Sequence, residues 1–90
     1  MVYWKIEFND KSKKQFVKLD KQSQKQLQTY LNTKILKLEH PKLSGKALGA
    51  NKKGLWRYRM DKFRIICKLE EEALVILVIK IAKRDVVYSD

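Results

Sequence analysis

The stretch GLWRYRMDKFRIICKLEEEALVILVIKIA, residues 54–82, decides the fold because it predicts three consecutive β-strands. Apolar and polar side chains alternate over residues 55–60 and 63–69, and an aliphatic run follows over residues 74–82. The links DK at 61–62 and EEE at 70–72 predict tight turns between antiparallel strands. The last segment is apolar at nearly every position, so we expect a central strand that is covered on both faces.

The residues before this stretch predict a first strand and two helices. Residues 2–8, VYWKIEF, alternate as a strand does, and Asn9 or Asp10 can cap a short helix that runs to about residue 19. Asp20 can cap a second helix, whose apolar residues recur at spacings of three and four and which we expect to end near Glu39, before Pro41.

Residues 40–54, HPKLSGKALGANKKG, contain all three glycines and the only proline, and they predict a connector between the helices and the last three strands. The element order is therefore β-α-α-β-β-β. This order predicts an α+β fold, in which an antiparallel sheet of about four strands carries an N-terminal two-helix hairpin on one face. A chain of 90 residues is expected to form one domain over residues 1–90.

The formal net charge of +11 is large for a chain of this length and predicts a polyanionic partner. Residues 51–68 carry seven lysines and arginines against a single acid, Asp61. Arginine presents a planar fork of donors that suits phosphate, whereas lysine on a helix is a common solubilising residue. The arginines are therefore the more informative cations, and they all lie in the C-terminal part: Arg57, Arg59, Arg64 and Arg84.

Strand alternation predicts that these arginines share one face of the sheet. Arg57 and Arg59 oppose the aromatic residues of their own strand, and Arg64 opposes Phe63. We expect a cationic surface on the side away from the helices, completed by Arg84 from the last strand. Around its rim we expect four lysines that contact the polyanionic partner: Lys52, Lys53, Lys62 and Lys83. The alternative is that these residues form the solvated face of an ordinary one-sided sheet.

Other residue types offer weaker sites. Cys67 stands among isoleucines, so we expect a buried and unreactive thiol, and a single cysteine fits a reducing cytoplasm. His40 precedes a proline, where capping is a more common role than catalysis. No cluster of histidine and cysteine predicts a zinc site. The longest apolar run, residues 73–79, is too short for a membrane span, and the N-terminal residues do not resemble a signal or transit peptide.

The chain resembles the RelE/ParE superfamily of toxins from bacterial toxin–antitoxin pairs, and it is most similar to the RelE-like branch. The resemblance rests on the two-helix hairpin, the connector, the RYR strand, FRIICKL and the tail AKRDVVY. The RelE-like branch often ends in a Gly-His-Arg-x-x-Val/Ile-Tyr pattern. Arg84, Val87 and Tyr88 match it, whereas Ala82 stands for the glycine and Lys83 for the histidine, so no histidine base is available here.

The resemblance implies a ribosome-dependent endoribonuclease that cleaves mRNA in the A site without a metal or cofactor. The 2′-hydroxyl of one nucleotide attacks the adjacent phosphate. Arg59 and Arg84 would stabilise the developing charge, and Arg64 would support the leaving oxygen or orient the scissile phosphate. Arg57 would hold the RNA backbone, and Tyr88 would stack on a base or assist proton transfer.

The resemblance also implies partners and rival functions. A cognate acidic antitoxin, similar to RelB, would wrap and neutralise the toxin as a hetero-oligomer in the cytoplasm, and the ribosome and mRNA would be the targets. The ParE-like branch has the same fold but inhibits DNA gyrase, and it generally lacks the arginine and tyrosine set. A basic protein-binding module without chemistry is the third alternative, since fold alone does not separate these functions.

Overall fold

A computed structural model describes residues 3–48 and 54–83 and confirms the α+β fold class. Two helices and a five-stranded sheet account for most of the described chain. The elements, in chain order, are β1 (Lys5–Phe8), α1 (Asp10–Val17), α2 (Lys21–Thr29), a π-helical segment (Tyr30–Ile35), a 3-10 turn (Pro41–Leu43), β2 (Lys46–Ala47), β3 (Leu55–Met60), β4 (Phe63–Glu70) and β5 (Val75–Lys83).

The sheet is mixed and has the strand order β1-β5-β4-β3-β2. The hairpins β3–β4 and β4–β5 are antiparallel, as predicted, and β5 lies inside the sheet. Two details differ from the purely antiparallel sheet of about four strands. β1 pairs with β5 in parallel, because the helices carry the chain across to the far side of the sheet before the antiparallel strands begin. Two connector residues also pair with β3 and form the short strand β2.

Both helices begin where the capping residues predict. The Asn9 side chain accepts a hydrogen bond from the backbone N–H of Ser12 at 2.9 Å, and Asp20 accepts one from Ser23 at 3.4 Å. The second helix ends earlier than the predicted Glu39: its last regular α-helical residue is Thr29, and the π-helical segment follows. The Thr33 hydroxyl donates to the Thr29 carbonyl, and such back-bonding competes with the regular helix ladder.

The core lies between the two-helix hairpin and one face of the sheet. The π-helical segment continues the apolar stripe of α2, so that Leu27, Leu31 and Ile35 are all buried. From the sheet, alternate residues of β3, β4 and β5 pack against this stripe. The fully buried strand residues are Tyr58, Phe63, Ile65, Cys67, Ile76 and Val78.

Candidate nucleic-acid interface

The arginines of β3 and β4 lie on the sheet face away from the core. Arg59 is directly opposite Arg64 in the antiparallel ladder, and Arg57 is opposite Ile66. Residues that oppose each other point to the same side, with Cα atoms about 4.5–5.5 Å apart. Arg64 is half-buried and its Nε is buried, so the stem of this side chain lies against neighbouring residues of the sheet. Three arginines therefore meet at one end of the open face.

A β-bulge in β5 adds a lysine to this surface. Ile66 is opposite Lys80, but Cys67 is opposite Val78, so Ile79 has no residue opposite it in the ladder. Strict alternation would put Lys80 and Val78 on the same face. The bulge reverses the alternation, so that Val78 faces the core and Lys80 faces the side of the arginines.

Charge is unevenly distributed along the open face. Glu70 is opposite Val75, and Glu7 is opposite Leu77, which places both acids toward the end of the sheet that is remote from the arginines. From Arg64 to Glu70 the strand runs six residues, or about 20 Å. Asp61 lies in the turn between β3 and β4, beside the arginine end. Lys5 and Lys68 lie near these two acids, opposite Val75 and Leu77, so the excess of positive charge on the described sheet is at the arginine end.

The connector packs tightly against β3 and adds a cation at the edge. The Trp56 Nε1 donates to the Ser44 carbonyl at 2.6 Å, and the Tyr58 hydroxyl donates to the Pro41 carbonyl at 2.7 Å. A Cβ atom on Gly45 would lie 2.4 Å from the Arg57 carbonyl oxygen, so only glycine fits here. This close packing places Lys46 directly opposite Arg57.

A pocket of about 240 Å³ opens at this edge, and we call it the edge pocket. The π-helical segment, the connector with β2, and β3 each contribute to its wall. Among the described residues, the four charged side chains that line it are all cations. The lining residues are Tyr30, Lys34, Ser44, Gly45, Lys46, Arg57 and Arg59.

Buried hydroxyl and thiol groups near the core are held in their neutral forms. Burial raises the pKa of Tyr30, and a side-chain hydrogen bond with Ser44 offsets part of that shift. Burial also raises the pKa of Tyr58 and of Cys67 well above their ordinary values. The Cys67 thiol is fully buried, as predicted, and burial disfavours the reactive thiolate.

The structure separates the predicted rim lysines. Lys62 is exposed in the β3–β4 turn, with its ammonium 5.8 Å from the centroid of the Phe63 ring. Lys83 is exposed at the end of β5 and is opposite Phe63, so its register places it on the side of the core residues and not with the arginines. The predicted site residues Lys52, Lys53, Arg84 and Tyr88 lie outside the described residues.

His40 has a structural role, as predicted. Its Nδ1 accepts a hydrogen bond from the backbone N–H of Lys42 at 3.1 Å and caps the 3-10 turn. Its Nε2 lies 3.6 Å from Glu71. Within residues 3–48 and 54–83, no group of three or more histidine, cysteine or acidic residues is placed to hold a metal ion. None of the described helices is both long and apolar enough to cross a membrane.

Sequence reasoning missed Tyr30, Lys34, Lys46 and Lys80. The four-residue spacing of Tyr30 and Lys34 does indicate a common helix face, and the Lys34 ammonium lies 5.8 Å from the centre of the Tyr30 ring. The pairing of Lys46 with Arg57 depends on how the connector docks, and the position of Lys80 depends on the bulge. The docking of the connector has no local signal in the sequence, whereas Lys80 does share the strand alternation of Arg84, which was expected on this face.

Comparison with known proteins decides the family. The sequence profile described as the ParE toxin of the type II toxin–antitoxin system, parDE, matches residues 6–88. The chain belongs to this toxin family. Its place in the RelE/ParE superfamily confirms the relationship expected from the sequence. A comparison of the toxin with curated protein sequences finds no significant match.

The toxin shares its fold with solved RelE structures. A chain of the Mycobacterium tuberculosis RelBE2 toxin–antitoxin complex superposes with a TM-score of 0.81 at 17% identity, over 93% of this chain and 94% of that one. The isolated Escherichia coli RelE toxin superposes with a TM-score of 0.72 at 18% identity, over 96% of this chain and 88% of that one. A chain of the archaeal RelE–RelB complex from Pyrococcus horikoshii superposes with a TM-score of 0.67 at 19% identity, over 93% of this chain and 98% of that one. At these identities the likeness concerns the fold.

Proposed function

We propose that this toxin is a ribosome-dependent mRNA endoribonuclease that cleaves mRNA in the A site and so inhibits translation. The observation that carries the proposal is the direct pairing of Arg59 with Arg64 on the open face, with Arg57 beside them. Three guanidinium forks on a rigid sheet can bind the non-bridging oxygens of a phosphate and stabilise the extra negative charge of its transition state.

In the proposed reaction, the 2′-oxygen forms a bond to the adjacent phosphorus while the bond from phosphorus to the 5′-oxygen breaks. The 2′-hydroxyl loses a proton and the leaving 5′-oxygen gains one. We propose Arg59 and Arg84 for charge stabilisation, Arg64 for the leaving oxygen and Tyr88 for stacking or proton transfer. Arg57 holds the RNA backbone. With few acid–base groups, such an enzyme depends on the ribosome to orient its substrate.

The proposed binding partner is an acidic, RelB-like antitoxin that forms a hetero-oligomer with the toxin. Two observations support it. The solved structures of similar fold include RelBE2 and RelE–RelB complexes, and the net charge of +11 favours association with an acidic partner. A short acidic protein encoded beside this toxin is the candidate to test by co-expression, which should abolish growth arrest.

The test of the nuclease proposal is to express the toxin alone in a bacterium and map mRNA 5′ ends. Wild-type toxin should produce new cuts in phase with codons inside translated regions. Arg64→Ala should reduce the cleavage rate by about 100-fold or more, because it removes one preorganised charge donor from the transition state. The absence of codon-phased cuts with wild-type toxin would contradict the proposal.

Two controls sharpen this test. Arg64→Lys keeps the charge but loses the planar fork, so its cleavage rate should also fall if bidentate phosphate contact matters. Lys13→Gln changes an exposed residue of α1, remote in sequence from the arginine strands, and should leave cleavage unchanged. Thermal melts of all variants separate lost chemistry from lost folding.

Inhibition of DNA gyrase is the second candidate, because the matching family is named for ParE. Supercoiling assays with purified gyrase distinguish the two functions. Inhibition of supercoiling together with intact mRNA would favour the gyrase target. A toxin that does neither, is harmless on expression and still binds an antitoxin tightly would be a binding module without chemistry.

A further inference from the structure

We propose that the edge pocket binds a second phosphate of the RNA strand, next to the phosphate held between Arg59 and Arg64. This inference rests on the proposed nuclease function and extends it from a scissile-phosphate site to a backbone subsite. It assigns binding roles to Lys34 and Lys46, which lie off the main arginine surface.

The composition of the pocket indicates an anion. Lys34 comes from the π-helical segment and Lys46 from β2, while Arg57 and Arg59 come from β3. Lys46 and Arg57 are directly opposite each other across the ladder, an arrangement of like charges that is unfavourable by itself. An anion between these cations turns that repulsion into attraction.

The position of the pocket favours RNA phosphate as the anion. Arg59 lines the pocket and also stands opposite Arg64, so the two binding positions are contiguous. The Lys46–Arg57 pair and the Arg59–Arg64 pair lie two residues apart along β3, roughly 7 Å. This spacing is of the order of the distance between neighbouring phosphates in an extended nucleic-acid strand. A strand that places one phosphate at Arg64 can therefore place the next one in the edge pocket.

The connector side of the pocket wall is held in place before any ligand binds. The Trp56 and Tyr58 hydrogen bonds anchor both ends of the connector segment 41–44, and Gly45 allows the connector to touch the backbone of β3. Tyr30 is half-buried and kept neutral by burial, so it contributes an uncharged surface. The connector backbone therefore needs little ordering on binding, and the ordering that remains is that of the exposed side chains of Lys34, Lys46 and Arg59.

The experiment compares two uncleavable RNA probes by NMR titration at low salt. Both are single-stranded with methylated 2′-hydroxyls: a dinucleotide with one internucleotide phosphate and a trinucleotide with two. For wild-type toxin we expect roughly tenfold tighter binding of the trinucleotide, since a second charged contact is formed. In the Lys34→Gln, Lys46→Gln double variant, the ratio of the trinucleotide affinity to the dinucleotide affinity should fall several-fold. The slope of log K against log salt concentration for the trinucleotide should become less steep by about 0.7, the value for one lost phosphate contact.

Three matched probes and variants isolate the effect. Replacing the second phosphate with a neutral methylphosphonate should weaken wild-type binding but change the double variant little. Lys13→Gln with Lys14→Gln removes the same amount of charge from α1 and should preserve the affinity ratio. Lys34→Arg with Lys46→Arg should retain it as well, because both cations remain.

The outcomes separate this inference from the proposed function. If the affinity ratio is the same in wild type and in the Lys34→Gln, Lys46→Gln variant while codon-phased mRNA cuts persist, the pocket inference is wrong and the nuclease stands. If the variant keeps its RNA ratio but loses affinity for the acidic antitoxin, the pocket takes a carboxylate and the phosphate assignment is wrong. A ratio that falls as expected supports the subsite, even if mRNA mapping contradicts the nuclease.

Discussion

Gly45 and Gly54 have the same positive φ of 79° but different surroundings. Around Gly45, an added Cβ would overlap the Arg57 carbonyl oxygen and the Trp56 indole nitrogen, at 2.4 and 2.6 Å. Around Gly54 there is nothing within 4 Å. The two glycines therefore separate the cost of an unusual backbone conformation from the cost of losing close packing between the connector and β3.

We predict that Gly45→Ala destabilises the toxin much more than Gly54→Ala. The Gly54 variant should lose only the backbone preference, about 1 kcal/mol. The Gly45 variant should lose in addition roughly 1–3 kcal/mol for the overlap with β3. Urea denaturation measures the free energy of unfolding of both variants, and equal losses would show that the connector does not pack closely on β3.

At the scale of elements, α1 protects the part of β5 that β1 does not reach. β1 ends at Phe8, opposite Val78, and β5 continues to Lys83. Beyond this point α1 supplies polar side chains. The Ser12 hydroxyl donates to the Val78 carbonyl at 2.6 Å, and the Gln15 Oε1 accepts from the backbone N–H of Ile81 at 2.8 Å. The Val78 carbonyl also accepts from the backbone N–H of Asn9 at 3.1 Å, so the Ser12 hydroxyl is its second donor. The Ile81 N–H is the strand group that α1 satisfies in place of another strand.

Replacing Gln15 with methionine should expose this role. Gln15→Met keeps the size of the side chain but leaves the Ile81 N–H, in a buried residue, without its acceptor, so we expect a loss of about 1–3 kcal/mol. Gln15→Glu retains an acceptor oxygen and should cost less. Hydrogen exchange at the Ile81 amide provides the local readout. An unchanged exchange rate in the methionine variant would mean that α1 does not protect this edge.

At the scale of the whole molecule, the chain has 21 lysines and arginines against 10 acidic residues. The charge on the open face of the sheet is unevenly distributed between its two ends. Its arginine end holds Arg57, Arg59 and Arg64, whereas Glu7 and Glu70 lie toward the other end. We expect this arrangement to attract a polyanion and to orient it on the sheet.

We predict that the proposed binding of the toxin to ribosomes depends strongly on salt. Cosedimentation should fall steeply between about 50 and 300 mM potassium chloride, because exposed charges are screened within a Debye length. The Lys13→Gln, Lys14→Gln variant should show a smaller loss of binding than an Arg57→Gln, Arg59→Gln variant with the same change in charge. Binding that is insensitive to salt would indicate an apolar docking surface instead.

The local pattern was sufficient for the element types, for three of the strand positions and for the shared face of Arg57, Arg59 and Arg64. Alternation along a strand depends only on backbone geometry, and the capping residues Asn9 and Asp20 act on their own helix turns. The family resemblance carried the proposed roles of these arginines. The prediction was wrong about the end of α2, where a π-helical segment replaces the regular helix. The apolar spacing on which it rested continues through that segment and does not mark the change of helix type.

Only the tertiary structure decided the rest of the site. The parallel pairing of β1 with β5, the strand β2 and the edge pocket depend on contacts between residues that are distant in sequence. The bulge at Ile79 also arises between two strands, and it moves Lys80 to the arginine face against the alternation of its own strand. Strand periodicity predicts which residues share a face within one strand, whereas inter-strand pairing determines which cations from different elements meet.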